Sequence, residues 1–335
     1  MESIKKPLAG LFALLFATSA VAALLFFNFE RRGFTAETYQ KAFAKDDFYN
    51  KLPAVLAEAM TSTDQSQFPL TLRGMDMQAW DSFFRTILKP DALKAMGDDL
   101  LNSTFAYLNL QTDSVQLTLI PLKAGIVSDA GVQAVYGILA TQPDCNLFDI
   151  AQMSLNLLTG GEMQFCNPPA ELYPLLTPAI QGQLQLTAQI IPDQITLLQA
   201  PPQNDPRQRL KTARLFMRLS PLLPLAFLLL MTILAVNSLK SWLNWWGASF
   251  LAIGMAASLM GLSGAPFFSA IFQRFLIFRL PAYLPTVFLS YAGDLASAML
   301  QALLAPVLWQ GLIMAVFGTG MLLGGYFIKL RQSHS

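Results

Sequence analysis

Side chains able to do acid–base, nucleophilic or metal chemistry are few in this chain, and they are scattered. Its one histidine, His334, is the penultimate residue. A Ser-His-Asp or Cys-His relay would have no base, and a zinc site would lack its usual nitrogen ligands. Gly261-Leu262-Ser263-Gly264 ends too soon to be a Gly-x-Ser-x-Gly elbow and lies in an apolar stretch. No Gly-x-x-x-x-Gly-Lys phosphate loop occurs, and Gly318-Thr319-Gly320 reads as helix packing. Asp46-Asp47 and Asp98-Asp99 are adjacent carboxylates, which diverge on a helix and read as solvated faces. Asp294 is the only acid after Asp205. It is either an ion-relay group at membrane depth or, the stronger reading, an interfacial carboxylate paired with Arg274 or Arg279.

Two further groups carry chemistry of a different kind. Cys145 and Cys166 are the only cysteines, 21 residues apart in a polar region. They are either a disulfide formed in an oxidising compartment or two buried thiols, and the disulfide is expected. Arg207, Lys211, Arg214 and Arg218 recur at i, i+4, i+7 and i+11, so one helical face is basic where an apolar run begins. Such a face either snorkels to the membrane interface, recognises anionic lipid headgroups, or docks an acidic domain. Basic clusters beside apolar runs, with no aromatic platform, speak against nucleic acid. No cofactor and no metal site is implied.

The elements that position these groups are set by hydropathy. The chain has 335 residues, 54% hydrophobic and 13% charged, with a mean hydropathy of +0.44. A spanning helix needs about 20 mostly apolar residues. Runs at 7–28, 219–236, 247–270 and 303–328 supply four candidates, and 275–303 is apolar but broken by Arg279, Pro281, Pro285 and Asp294. The first run is too long for a cleaved signal core and reads as a signal anchor. Three segments follow: an anchor at 1–32, a mostly helical extracytoplasmic domain at 33–205, and a membrane domain at 206–335. The middle one holds 18 acidic and 8 basic side chains, the last one acid and ten bases. Lys5 and Lys6 favour a cytoplasmic N-terminus, but Glu30, Arg31 and Arg32 nearly cancel that bias. The cysteines tip the orientation, placing the polar domain outside the cytoplasm of a cell membrane.

The polar domain carries apolar stripes at helical spacing. Phe48, Leu52, Val55, Leu56 and Met60 form one, with Thr35 a cap ahead of it. Met77, Trp80, Phe83, Phe84, Ile87 and Leu88 form a second, closed by Pro90. A third starts at a capping Asp91 and includes Leu93, Met96, Leu100, Leu101, Phe105 and Leu108. Shorter helices are expected over 132–139 and 147–158, and a longer one after Pro169 through Leu175, Ile180 and Leu184. Val115, Leu117 and Leu119 alternate with polar residues as in a half-buried strand. Met163 to Phe165 alternates more weakly and is the expected partner strand. In the membrane domain, Gly247, Gly254 and Gly261 recur every seven residues, as do Gly311, Gly318 and Gly325. Small residues let helix backbones approach closely, so the last two spans pack together or one forms a self-association face.

Tyr39 to Leu56 (YQKAFAKDDFYNKLPAVL), the Trp80 helix leading to Pro90, and Cys145 to Pro169 with its CNPP together resemble a group of bacterial envelope membrane proteins of unassigned activity. The likeness covers roughly residues 8–200 and implies an N-terminal anchor, a helical outer domain with a Cys pair, and C-terminal spans. The expectation is a mainly α polytopic membrane protein with a small β element. Its function would be that of a non-enzymatic envelope scaffold, assembly or interaction protein, in contact with membrane lipids and with a protein partner or further copies of itself. A transport-associated or mechanotransmitting subunit with one-plus-three spans is the alternative, and a lipid- or envelope-modifying enzyme a second.

Overall fold

Apolar runs of bilayer length and shorter amphipathic stripes both select helix here, and the computed structural model of the protein is mainly helical. It describes residues 2–62, 75–146, 148–149, 151, 166–271, 274 and 286–333. In chain order its elements begin α1 (Glu2–Gly33), α2 (Ala36–Lys45), α3 (Phe48–Ser62), α4 (Met77–Ile87) and α5 (Pro90–Leu108). There follow β1 (Ser114–Thr118), α6 (Ile120–Val127), α7 (Asp129–Leu139), α8 (Tyr173–Ile190) and β2 (Gln194–Gln199). The chain ends on α9 (Pro206–Leu219), α10 (Leu222–Ala235), α11 (Leu239–Ile271) and α12 (Thr286–Ser333). Two compact units emerge. A membrane unit takes Met1–Ala42, Pro201–Leu276 and Ala296–Ser335, and a disulfide unit takes Phe43–Ala200 and Ile277–Leu295. The sequence divides at 32 and 205, while by contacts residues 33–42 group with the membrane unit and 286–295 with the disulfide unit.

Among the described residues, four helices are long and apolar enough to cross a bilayer: Lys5–Gly33, Pro206–Ala235, Leu239–Ile271 and Val287–Ile328. The second is α9 and α10 in succession, interrupted at Ser220-Pro221. The fourth is part of α12, which runs unbroken through 48 residues despite Pro306. Ser290, Asp294, Ser297 and Gln301 lie on the same helix as the last span.

Inside the membrane unit, Phe16 and Ala20 of α1 are buried against Leu228 and Met231 of α10 and Ile253 of α11. Lipid gives no hydrophobic drive for that association, so close packing and internal hydrogen bonds must supply it. Two such bonds are side-chain pairs. Asn28 Nδ2 donates to Gln310 Oε1 at 2.7 Å, and Trp246 Nε1 donates to Thr232 Oγ1 at 3.0 Å. The opposite faces stay exposed and apolar, with Leu11 and Leu14 on α1, Leu229 and Ile233 on α10, and Ile313 and Val316 on α12. A belt of that kind suits contact with lipid.

Among the described residues, two small cores lie in the disulfide unit. Ala57, Met75 and Trp80 gather Phe83, Phe84 and Ile138 around α3, α4 and α7. Val132, Leu176 and Ile180 close on Cys166, which is disulfide-bonded to Cys145. A bridge from Asp144 to Asn167 flanks that bond. β1 and β2 pair antiparallel, with a bulge between Val115 and Gln116. Leu119 N donates to Asp193 O, and Ala200 N to Asp113 O, so both ends of the ribbon are tied. At the start of α12, Tyr291 stacks on Phe48 at 4.6 Å and donates its hydroxyl to the Phe48 carbonyl.

Several local expectations change. β1 pairs with β2; the segment 163–165 expected beside it, with most of 147–158, lies outside the described residues. Asp46-Asp47 forms the turn between α2 and α3, with Asp47 in the left-handed region at φ 55°. Asn50 Nδ2 donates to its carboxylate, a local bond of the kind that lets Asp occupy that region. Thr35 bonds the Arg32 carbonyl and caps no amide. Asp91 sits inside the first turn of α5, behind Pro90. Leu175 faces outward, 75% exposed, while the adjacent Leu176 fills the core.

Candidate functional site

The basic face of α9 folds back on acids close to it. Asp205 caps α9 by accepting from Arg207 N at 2.9 Å, and the Arg207 guanidinium grips the same carboxylate, with Nη2 2.7 Å from Oδ2. That side-chain bond holds the Asp205 carboxyl below its ordinary range, against the opposing effect of burial. Arg207 is itself buried, so it belongs to the fold and is withdrawn from the exposed face. One turn further on, Lys211 is exposed and has no ion pair among the described residues.

Arg214 and Arg218 converge on Glu30 of α1. Arg214 Nη2 lies 3.2 Å and Arg218 Nε 2.7 Å from Oε1 of Glu30, a residue only 5% exposed. Arg214 also stands over the Phe34 ring, 4.4 Å from its centroid, a cation–π contact. Two cations on one buried carboxylate fix α9 against the end of α1. In the sequence Glu30 counts only with Arg31 and Arg32, as charges that nearly cancel the orientation bias of Lys5 and Lys6. The missed signal was an acid standing alone at the end of a long apolar run, where only a buried partner makes it tolerable.

The glycines of α11 and α12 meet each other. A β-carbon on Gly247 would stand 3.0 Å from Gly318 O, and one on Gly318 would stand 2.4 Å from Leu251 N. Gly254 faces Gly311 and Ala315, Gly261 faces Leu308, and Gly325 faces the Asn244 side chain. Gly320 has nothing within 4 Å. The six repeating glycines thus form one seam between two helices of the same chain.

The described surface of the disulfide unit has one conspicuous apolar region. Every residue of β2 is exposed, including Ile195, Leu197 and Leu198. α8 runs toward it with Leu186 and Ile190 uncovered, and α6 contributes Ile120 and Val127. Between α6 and α8 lies an open groove of about 430 Å³ that includes Lys123, Gln185, Gln189 and Asp193, where Lys123 and Asp193 form an ion pair. Asp294 is exposed and makes no ion pair among the described residues; Arg279 lies outside them. Among the described residues, no three His, Cys, Asp or Glu side chains gather as a metal site requires. No protein-family model, curated protein or solved structure matches this chain.

Proposed function

We propose that this is an envelope membrane protein of interaction type: its spans anchor an extracytoplasmic disulfide unit, and that unit binds a partner protein along β2. The observation that carries the reading is β2 itself. It is an outer strand of a two-stranded ribbon, exposed along its length and free of charge from Gln194 to Gln199. Natural sheet edges are normally guarded by charges, prolines or covering elements, and an unguarded apolar edge suits strand addition by another chain. The disulfide supports the extracytoplasmic side, since such bonds persist in oxidising compartments. A rigid anchor is favoured over a conduit because, among the described residues, the buried charged side chains of the membrane unit, Glu30 and Arg207, are engaged in internal ion pairs.

The test is site-specific photocrosslinking in intact cells from Leu197, Ile195 and Ile190. A discrete protein adduct from these positions, lost in Leu197→Lys, is the expected result. Absence of any protein adduct from all three positions would overturn the reading. Thiol labelling with an impermeant reagent gives the side: Cys145 and Cys166 should react only after an impermeant reductant. Labelling that needs permeabilised cells would place the unit in the cytoplasm.

A further inference from the structure

The membrane unit holds a second feature that the partner-binding reading does not use. Between α1 and α10, with α11 and α12 behind them, runs a groove of about 240 Å³. Phe16, Ala20, Leu24, Leu225, Leu228 and Met314 are among its walls, and every lining residue is apolar. Leu225 is 52% exposed, so the groove opens sideways toward the exposed apolar belt. From Phe16 to Phe27, both on its wall, α1 rises about 16 Å at 1.5 Å per residue. An extended apolar chain fits that shape, and leaving it empty would forfeit dispersion contacts along the whole lining.

Its upper end is basic. Phe27 and Pro221 close the groove there, and one helical turn beyond each stands an arginine. Arg31 sits over the Phe27 ring, 5.4 Å from its centroid, and Arg218 lies one turn before Pro221. Glu30 is the acid of this cluster, against Arg31, Arg32, Arg214 and Arg218. The neighbouring acids are already matched, Asp205 by Arg207 and Glu37 by Lys41. Arg218 is 61% exposed and reaches Glu30 through Nε, so among the described residues its terminal nitrogens are uncommitted. Arginine presents five donors in a planar fork that matches a phosphate. Arginines that outnumber the one acid, with terminal donors still open, at the mouth of an apolar slot one chain wide are complementary to a molecule with an anionic head and a hydrocarbon tail.

We propose that the membrane unit binds an anionic phospholipid, with one acyl chain in the α1–α10 groove and the phosphate held by Arg31 and Arg218. This narrows the role of the basic face on α9: Arg207 serves the fold, Arg214 holds Glu30, and Arg218 reaches the ligand together with a residue from the first span.

The experiment is native mass spectrometry of the full chain in detergent, incubated separately with phosphatidylglycerol, phosphatidylcholine and inorganic phosphate. Phosphatidylglycerol should leave one retained adduct, phosphatidylcholine a much weaker one, and phosphate should not displace the first. Arg31→Gln, which breaks no ion pair seen among the described residues, should weaken the phosphatidylglycerol adduct roughly tenfold, as loss of a charge-assisted bond implies. Leu225→Trp fills the groove mouth and should displace the lipid while Arg31 and Arg218 remain. Lys211→Gln, also on α9, should change nothing. Equal retention of both lipids would refute the anionic assignment, and displacement by phosphate would refute the lipid. Unchanged retention in both Arg31→Gln and Leu225→Trp would refute the site.

Discussion

Replacing Gly254 by alanine adds one methyl group where α11 and α12 approach most closely, and the outcome can be worked out in advance. The new carbon would stand 2.3 Å from Ala315 N, 2.6 Å from Gly311 O and 2.7 Å from Ala315 Cα. All three are backbone atoms, so no side-chain rotation relieves them, and the helices must part by about 1 Å to restore ordinary separations. Overpacking of that kind costs about 1–3 kcal/mol, offset by up to about 1 kcal/mol of better helix propensity. Gly320→Ala supplies the control, because it gains the propensity with nothing within 4 Å to collide with. The difference between the two variants is then the packing penalty alone. At roughly 2–4 °C per kcal/mol for a unit of 150–250 residues, Gly254→Ala should melt about 2–12 °C below Gly320→Ala. Thermal unfolding of the full chain in mild detergent, followed by tryptophan fluorescence, measures it. If Gly254→Ala melts with or above Gly320→Ala, the seam is not where the backbones are closest and the reasoning is wrong.

Glu30→Gln should destabilise the membrane unit by about 1.5–3 kcal/mol. Arg214, 19% exposed, would lose its carboxylate, whereas Arg218, 61% exposed, would contribute little. An unchanged melting temperature would remove the pair from the account of stability. Cys145→Ser opens a loop of sequence separation 21, and should lower stability by about 3 kcal/mol; a urea midpoint equal to that of the oxidised parent would contradict this. Tyr49 is pushed up to about 12, chiefly by burial and then by the Asp98 carboxylate. Its neutral form is favoured in the folded state, so its contribution is intact below the unfolded value near 10 and is lost as pH rises through 12. Tyr49→Phe should therefore flatten the fall in stability between those pH values, and identical alkaline unfolding of the two proteins would exclude the effect.

Elements governed by a single period were legible before any coordinates. The four apolar runs, the stripes of α4 and α5, the strand through Val115 and the pairing of the only two cysteines all depend on local pattern or count. Long-range partnerships were not. β2 follows Pro192-Asp193 and reads Gln-Ile-Thr-Leu-Leu-Gln, a pattern whose alternation breaks at Leu198, and nothing local says that it pairs with a strand some 80 residues earlier. Glu30 with Arg214 and Arg218, and Asn28 with Gln310, are joined only by tertiary packing. The basic spacing on α9 located the right helix but could not divide its residues between fold and surface. That division depends on Asp205, which claims Arg207, and on the depth at which α1 presents Glu30.

The hydrogen bond between Asn28 and Gln310 joins residues 282 apart, and that separation sets a schedule for biogenesis. At about 5–20 residues per second, the first span waits roughly 15–55 s after its own synthesis before its last polar partner is made. During that interval Asn28 is not left bare, because its Nδ2 also reaches the Leu24 carbonyl at 2.7 Å within α1. Glu30 waits for Arg214, 184 residues later, and has no such intrahelical substitute among its described bonds. The first helix is therefore made well before the two arginines that pair with the acid near its end. Nascent chains truncated before Arg214 should hold that helix loosely.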